Sequence, residues 1–312
     1  MQDKLGILLI ILGMALFSIQ DVVIKLLASD GSLLQIIVMR GIIGTGFISA
    51  FLYLSGRPII FSTAYPLLTT IRATFFFLGF MSFYIALSLM SIAEATALFF
   101  VSPLFITILS RIFLGNDVGW YRMGAILTGF IGTFLIVKPS TSNFQWAYLL
   151  PLFTALSYSI SMILAKQTRE KDTVFQQTFH MYIASTICGI ATLLLSKSLG
   201  WSFEGVRGLE YVFRPWVLNN IVIISSVLLI SVVATIGTLC LITAYRISQP
   251  PVIAPFEYTL LIISIIIGYM LFDEVPDKYS MLGMLIIAAS GLFIFIREQA
   301  RGIPFVIKIR LR

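Results

Sequence analysis

A few charged and polar side chains stand inside long apolar runs, and these are the residues able to do chemistry. Asp21 and Lys25 are four apart in one such run, so on a helix they share a face and can pair. Arg40 lies near the middle of the next run; a guanidinium stays charged and presents a planar donor fork suited to carboxylate or phosphate. Glu257 follows Pro255, whose missing N–H can open a helix locally, and an acid at such a break can hold a cationic group or a proton. Each has a plainer alternative. Asp21 is either a structural partner of Lys25 or a cavity-lining acid, and Arg40 can instead clamp Asp21 or a helix's carbonyl end. His180, the one histidine, can titrate near neutral pH or simply pack between helices. Glu94 begins an apolar run, where an acid complements a helix's positive end, and Arg72 sits near the cytoplasmic end of its run, within reach of the interface.

Aromatic residues form a second group. Phe75, Phe76, Phe77, Phe80, Phe83 and Tyr84 crowd one run. Six residues so close together cover more than one helical face, which leaves one or two to line a cavity and stack on a planar or cationic ligand. Tyr84, Phe99, Tyr158, Tyr245 and Tyr258 are candidates for the same role. Gly41, Gly44, Gly46, Gly124, Gly129 and Gly132 read as close helix-packing positions.

These side chains need elements that hold them in a bilayer. The chain is 59% hydrophobic and 11% charged, with a mean hydropathy of +1.00. Soluble domains carry about 25% charged residues, so this composition excludes a soluble enzyme, a nucleic-acid binder and a disordered chain. The net charge of +7 comes from basic residues set singly between apolar runs, with no groove-forming cluster. Cys188 and Cys240 both fall inside apolar runs, which argues against a disulfide framework, and with one histidine they cannot build a zinc site. Lys4 followed by 5–19 superficially resembles a signal peptide, but Gln20, Asp21 and Lys25 replace any small-residue cleavage site, so a retained helix is expected. An intramembrane charge costs roughly 2.5–3.5 kcal/mol on insertion scales, which marks the residues above as functional by default.

Ten apolar segments are expected to be helices: 5–28, 33–54, 66–89, 93–114, 119–137, 145–166, 175–197, 219–243, 251–272 and 279–296. Their connections are short except 198–218, whose Trp201, Tyr211, Trp216 and charges suit an interfacial loop. With the N-terminus in the cytoplasm, thirteen Lys and Arg lie inside: Lys4, Arg57, Arg111, Arg122, Lys166, Arg169, Lys171, Arg246, Arg297, Arg301, Lys308, Arg310 and Arg312. Five lie outside, namely Lys138, Lys197, Arg207, Arg214 and Lys278. The positive-inside rule therefore places both termini in the cytoplasm. The basic, partly apolar tail 298–312 suits either the membrane surface or disorder.

An internal repeat organises the segments. Residues 84–138 align with 242–297 at an offset of 158–159: Leu114-Gly115-Asn116-Asp117-Val118 answers Phe272-Asp273-Glu274-Val275-Pro276, and Gly132…Lys138 answers Gly291…Arg297. At an offset of 141, Ser18-Ile19…Lys25 matches Ser159-Ile160…Lys166 and Gln35 matches Gln176. Each copy holds five helices, 1–138 and 139–297, and an odd number forces the second copy into the membrane upside down. Inverted repeats are the architecture of secondary transporters, with a site near the midplane.

Over 5–297 the chain resembles the drug/metabolite transporter superfamily, its EamA-type members in particular. The resemblance is carried by Leu12-Gly13-Met14…Phe17…Asp21…Lys25, Arg40, Ser102-Pro103-Leu104-Phe105, Leu114-Gly115-Asn116-Asp117-Val118-Gly119-Trp120 and Gly129-Phe130-Ile131-Gly132. Ala254-Pro255-Phe256-Glu257-Tyr258-Thr259 and Phe272-Asp273-Glu274-Val275-Pro276-Asp277 complete it. It implies an all-α protein of ten transmembrane helices in two inverted halves, with four helices of each half around a central cavity and the fifth and tenth at the periphery. It also implies transport of a small organic metabolite across a bacterial inner membrane. The family's usual Gly-Glu after the fourth helix is Gly115-Asn116 here, which weakens any role for an acid at that end.

The expected function is alternating-access transport of a small polar or zwitterionic metabolite, amino-acid-like or S-adenosylmethionine-like. Arg40 would take a carboxylate, and Asp21 or Glu257 an amine or a coupling proton. Tyr84, Phe99, Tyr158, His180 and Tyr258 complete the candidate site. A broad drug exporter is the alternative within the class. An intramembrane enzyme would need a clustered nucleophile and base, and no Gly-x-Ser-x-Gly elbow occurs; a membrane assembly protein would not need inverted halves with buried charges. No Gly-x-x-x-x-Gly-Lys-[Ser/Thr] loop occurs, so no cofactor or nucleotide is expected. The partners are a small-molecule substrate, the lipid bilayer and protons, with no nucleic acid, for a monomer or a homodimer. The charge count predicts that cysteines placed at residues 2 and 310 resist an impermeant thiol reagent in intact cells. External labelling of both would reverse the topology, and labelling of one would break the ten-helix scheme.

Overall fold

The computed structural model describes residues 2–114, 120–138, 145–168, 170–200, 203, 205–206, 208–247 and 254–300. Among them every regular element is helical, as lipid demands of a backbone that cannot reach water. Helices α1 (Gln2–Leu27), α2 (Leu33–Leu54) and α3 (Pro66–Leu87) come first. They are followed by α4 (Ile92–Phe99), α5 (Ser102–Leu114) and α6 (Trp120–Val137). Next come α7 (Leu149–Thr168), α8 (Val174–Ser198), the short α9 (Leu209–Phe213) and α10 (Ile221–Ile247). Helices α11 (Thr259–Phe272) and α12 (Lys278–Ala300) follow. Among the described residues, six helical stretches are long and apolar enough to cross a membrane: Lys4–Leu27, Leu33–Leu54, Pro66–Leu87, Trp146–Ala165, Val174–Ser198 and Ile221–Ala244. Four shorter apolar stretches, Ile92–Ile106, Met123–Val137, Phe256–Phe272 and Lys278–Phe293, accompany them.

Local sequence explains where the helices begin and break. The Ser91 side chain caps α4 by accepting from the Glu94 N–H at 3.2 Å, and Thr173 and Gln176 form a capping box at α8. Segment 93–114 is not one helix. It breaks at Phe100–Val101, because Pro103 has no N–H to continue the ladder and is tolerated only in the first turn of α5. Segment 251–272 behaves alike: Ala254–Tyr258 is a 3-10 turn and the α-helix begins at Thr259. Hydroxyls inside the helices bond to their own carbonyls four residues back, as Ser18 does to Met14 at 3.0 Å and Ser264 to Leu260 at 2.7 Å, a local solution to polarity in an apolar medium. The long connection is more than an interfacial loop, since Tyr211 and Val212 of α9 are buried against α2 and α3.

The main packing pairs are α1 with α10, α3 with α7, α6 with α12, and α2 with α8. The α6–α12 pair meets through glycine. A Cβ on Gly132 would stand 2.8 Å from the Gly283 carbonyl oxygen, and one on Gly283 would stand 2.5 Å from that of Gly132. Gly41, Gly44 and Gly129 are crowded in the same way, whereas Gly46 and Gly124 face open space and are not packing positions. The motif residues 115–119, the 248–253 connection and the tail from 301 lie outside the described residues. Gly283→Leu is expected to cost about 1–3 kcal/mol by overpacking, read as a lower melting temperature in detergent. Gly124→Ala should not lower it, since alanine is the better helix former.

Candidate functional site

The centre of the molecule holds a charge in a ring of aromatics. Arg40, on α2, is 5% exposed and donates through Nη1 to the Tyr84 hydroxyl on α3. Its guanidinium carbon lies 4.9 Å from the Phe80 ring centroid and 5.9 Å from those of Tyr84 and Tyr182, a cation–π setting. Tyr182 is itself fixed by a 3.0 Å hydrogen bond from Thr235 on α10. The Nε and Nη2 groups of Arg40 are buried without a hydrogen-bond partner. Asp21, 4% exposed on α1, accepts from the Gln20 amide at 3.3 Å and acts electrostatically on Arg40 and Tyr84. Among the described residues it forms no ion pair with Arg40.

From Tyr84 a run of ring contacts crosses the interior. Phe83 lies 6.4 Å from Tyr84 and 5.9 Å from Phe99. Phe99 lies 5.2 Å from Tyr158 and 5.7 Å from Phe100, which reaches Tyr258 at 4.9 Å. Glu257, half-buried in the 3-10 turn, is within electrostatic reach of the Tyr158 and Tyr258 hydroxyls. Buried hydroxyls of Ser157, Ser161 and Tyr258 have no hydrogen-bond partner among the described residues. The strip thus has a cation at one end, an acid at the other, and polar groups whose hydrogen bonds are unspent. Such a surface can orient a small ligand with a flat middle and charged ends; it offers no nucleophile–base pair.

The structure brings Arg40, Asp21, Tyr84, Phe99, Tyr158, Tyr258 and Glu257 onto this strip and leaves His180 apart. His180 Nε2 lies 2.8 Å from the Phe61 carbonyl, on another face of α8 from Tyr182. Of the two alternatives for Asp21, the pair with Lys25 does not form. One turn further along α1, Lys25 donates to Glu274 and, at 2.7 Å, to the Met90 carbonyl. Arg72 does not reach the interface either: it is 2% exposed, with Nη2 3.0 Å from the Met181 sulfur and Asp172 supplying the compensating charge. Tyr182 escapes a sequence reading, because nothing but three-dimensional packing distinguishes it from other polar residues in apolar helices. The Tyr245 side chain lies outside the described residues.

The two ends of the bundle differ. At the end of the α1–α2 turn, a polar cavity of about 530 Å³ is lined by Lys25, Ser91, Glu94, Glu274 and Asp277. Glu94 accepts from Ser91 at 2.9 Å and Ser280 at 3.0 Å, the helix-start role expected of it. Partial burial pushes the Asp277 carboxyl up, but hydrogen bonds from Lys138 and from the Ser280 and Tyr279 N–H groups outweigh that and leave it below the usual carboxylate range. At the opposite end, segment 58–65 is pinned to α8 and the turn before it, with Thr63 donating to Asp172 at 2.7 Å and Gln176 to the Ser62 carbonyl at 2.9 Å. A largely apolar cavity of about 330 Å³ lies there among Leu52, Ile59, Ile60, Phe175 and Phe179.

The chain is similar to known membrane transporters. The model of the EamA-like transporter family matches residues 4–138 and again 145–296. An S-adenosylmethionine uptake transporter of Rickettsia prowazekii is 25% identical over 297 residues, covering 94% of this chain and 93% of that one. A riboflavin transporter of Rhizobium johnstonii is 26% identical, covering 77% and 73%, and a pseudopaline exporter of Pseudomonas aeruginosa is 23% identical, covering 92% and 94%. A protein of known crystal structure superposes with a TM-score of 0.63 at 14% identity, covering 95% of this chain and 98% of that one, which shows the fold alone.

Proposed function

The chain belongs to the EamA-like transporter family and is a bacterial membrane transporter of the drug/metabolite type rather than an enzyme, and from that premise we propose a specific transport reaction. The protein is a secondary transporter that carries a small zwitterionic or polar metabolite through the inner membrane by alternating access. Arg40 takes the carboxylate, the aromatic strip takes the flat part, and Glu257, with Asp21, takes an amine or a proton. The observation that carries this reading is Arg40, a buried guanidinium whose Nε and Nη2 make no hydrogen bond and which, among the described residues, has no acid in an ion pair with it. Burying such donors is costly, and a substrate carboxylate would satisfy them in a planar, bidentate way. S-adenosylmethionine, named for the Rickettsia relatives, has the required chemistry: a carboxylate, cationic centres and a planar purine.

The reading includes ten crossings in two inverted halves, with both termini in the cytoplasm and the α1–α2 turn outside. Supporting it, exchanging the halves maps the α1–α10 pair onto α7–α3 and the α1–α11 pair onto α7–α5, while α2–α8 and α6–α12 map onto themselves. Gln35 and Gln176, matched in the repeat, do equivalent work at opposite ends. Gln35 exchanges two 2.8 Å hydrogen bonds with the Val217 backbone, and Gln176 holds the Ser62 carbonyl.

Loss of one charge-assisted hydrogen bond costs about 1.5–3 kcal/mol, so Arg40→Lys and Arg40→Ala should weaken substrate binding about 10- to 100-fold while the protein stays folded and inserted. Uptake and efflux in proteoliposomes, with S-adenosylmethionine, amino acids, riboflavin and nucleosides as the panel, check this. Wild-type transport by the alanine variant would remove Arg40 from the site and favour a broad exporter. For coupling, Glu257→Gln should abolish the response to an imposed pH gradient yet preserve exchange at equal pH. Equal pH-driven accumulation by variant and wild type would move coupling to Asp21 or end proton coupling.

A further inference from the structure

Lys25, Glu274 and the turn between α3 and α4 form one knot at the end of the α1–α2 turn. Lys25 Nζ holds Glu274 and the Met90 carbonyl, and the other oxygen of Glu274 accepts from the Ile92 N–H at 3.1 Å. The ammonium also lies 5.2 Å from the Phe272 ring centroid. Each segment tied here ends an element that carries the central strip. Helix α1 carries Asp21, α3 and α4 carry Tyr84 and Phe99, and the 3-10 turn continuing into α11 carries Glu257 and Tyr258. Beyond the knot lies the open polar cavity of about 530 Å³, to which Lys25 and Glu274 both contribute. On its inner side Ile24, Leu87, Ile92 and Ala95 are buried in one apolar cluster with Tyr84.

The pair therefore stands between an aqueous mouth and the closed strip. Its side chains are 12% and 23% exposed. Full burial would make separating the charges very costly, and full exposure would make their attraction negligible. Partial exposure leaves a contact that holds three segments together yet opens when water enters. The lysine stem is flexible enough to let go without strain.

We propose that Lys25 and Glu274 are the outer latch of the transport cycle, a pair of positioning residues. While the pair is intact, the ends of α1, α4 and α11 stay together and Arg40 is shut off from the outside. When it breaks, those ends part and the polar cavity becomes continuous with the strip. This rests on the alternating-access reading above and assigns that site its outer gate.

The test uses the full-length protein with Cys188→Ser and Cys240→Ser. Ala95→Cys, beneath the latch, reports outside access. Ser161→Cys, one turn beyond Tyr158, reports inside access. An impermeant maleimide is applied to right-side-out and inside-out vesicles. Lys25→Ala and Glu274→Gln should each speed outside labelling at 95 by at least about tenfold, a population shift of roughly 1.4 kcal/mol, and slow inside labelling at 161. The exchange Lys25→Glu with Glu274→Lys should restore both rates. Unchanged labelling at 95 overturns the proposal. Faster labelling at both positions also overturns it, since that is general loosening of a structural contact, as does an exchange variant that stays open. Transport of the substrate panel by the protein with its latch intact separates the two readings: opposed changes in labelling with no transport of any panel member would leave a gate controlling access and sink the proposed substrate reading.

Discussion

A bilayer interior supplies no water, so every polar group placed there must find its partner inside the protein. Most of this chain meets that demand locally, through helical backbone and through hydroxyls turned back on their own carbonyls. The charged side chains cannot be satisfied within one helix, and their needs bind the helices to one another. Arg40 recruits aromatics from α3 and α8, and Lys25 recruits a carboxylate 249 residues away. Arg72 lies against Met181 under the influence of Asp172. The fold is in this sense a solution for a few cations in an apolar solvent.

Those solutions are not equally complete. Lys25 has an acid and a carbonyl, whereas Arg40 has one phenol and three ring faces, with two donor groups left over. A structural arginine would be expected to acquire a carboxylate, as Lys25 has done. Asp21 is near enough to be felt electrostatically and yet forms no ion pair with Arg40. An unsatisfied buried group calls for an explanation outside stability, and the substrate-binding role proposed for Arg40 supplies one.

Helix breaks place the chemistry. Both Phe100–Val101 and the 3-10 turn at Ala254–Tyr258 put aromatic residues where a regular helix would have continued, and Phe100 and Tyr258 meet there. Tyr258 also needs the absence of a side chain at Gly291, where any Cβ would collide with its hydroxyl. Irregular backbone at membrane depth is tolerated where protein or a polar cavity surrounds it, and both breaks lie beside the proposed site.

The sequence by itself determined the membrane class, from apolar runs that nothing but lipid could cover. It also suggested a repeat, from landmarks such as Gln35 and Gln176, and supplied the shortlist of charges within apolar runs, because charge in an apolar run is visible in one dimension. Helical spacing could say which residues share a face of one helix; it suggested Asp21 with Lys25 and placed Arg72 near water, and both were overruled. Only the tertiary structure decided that Lys25 turns to Glu274, that Arg72 is buried, that His180 stands apart, and that Tyr182 completes the ring around Arg40. The physical reason is that period fixes neighbours within a helix, whereas the rotation of one helix against another is set by packing along its whole length, glycine contacts such as Gly132 with Gly283 included.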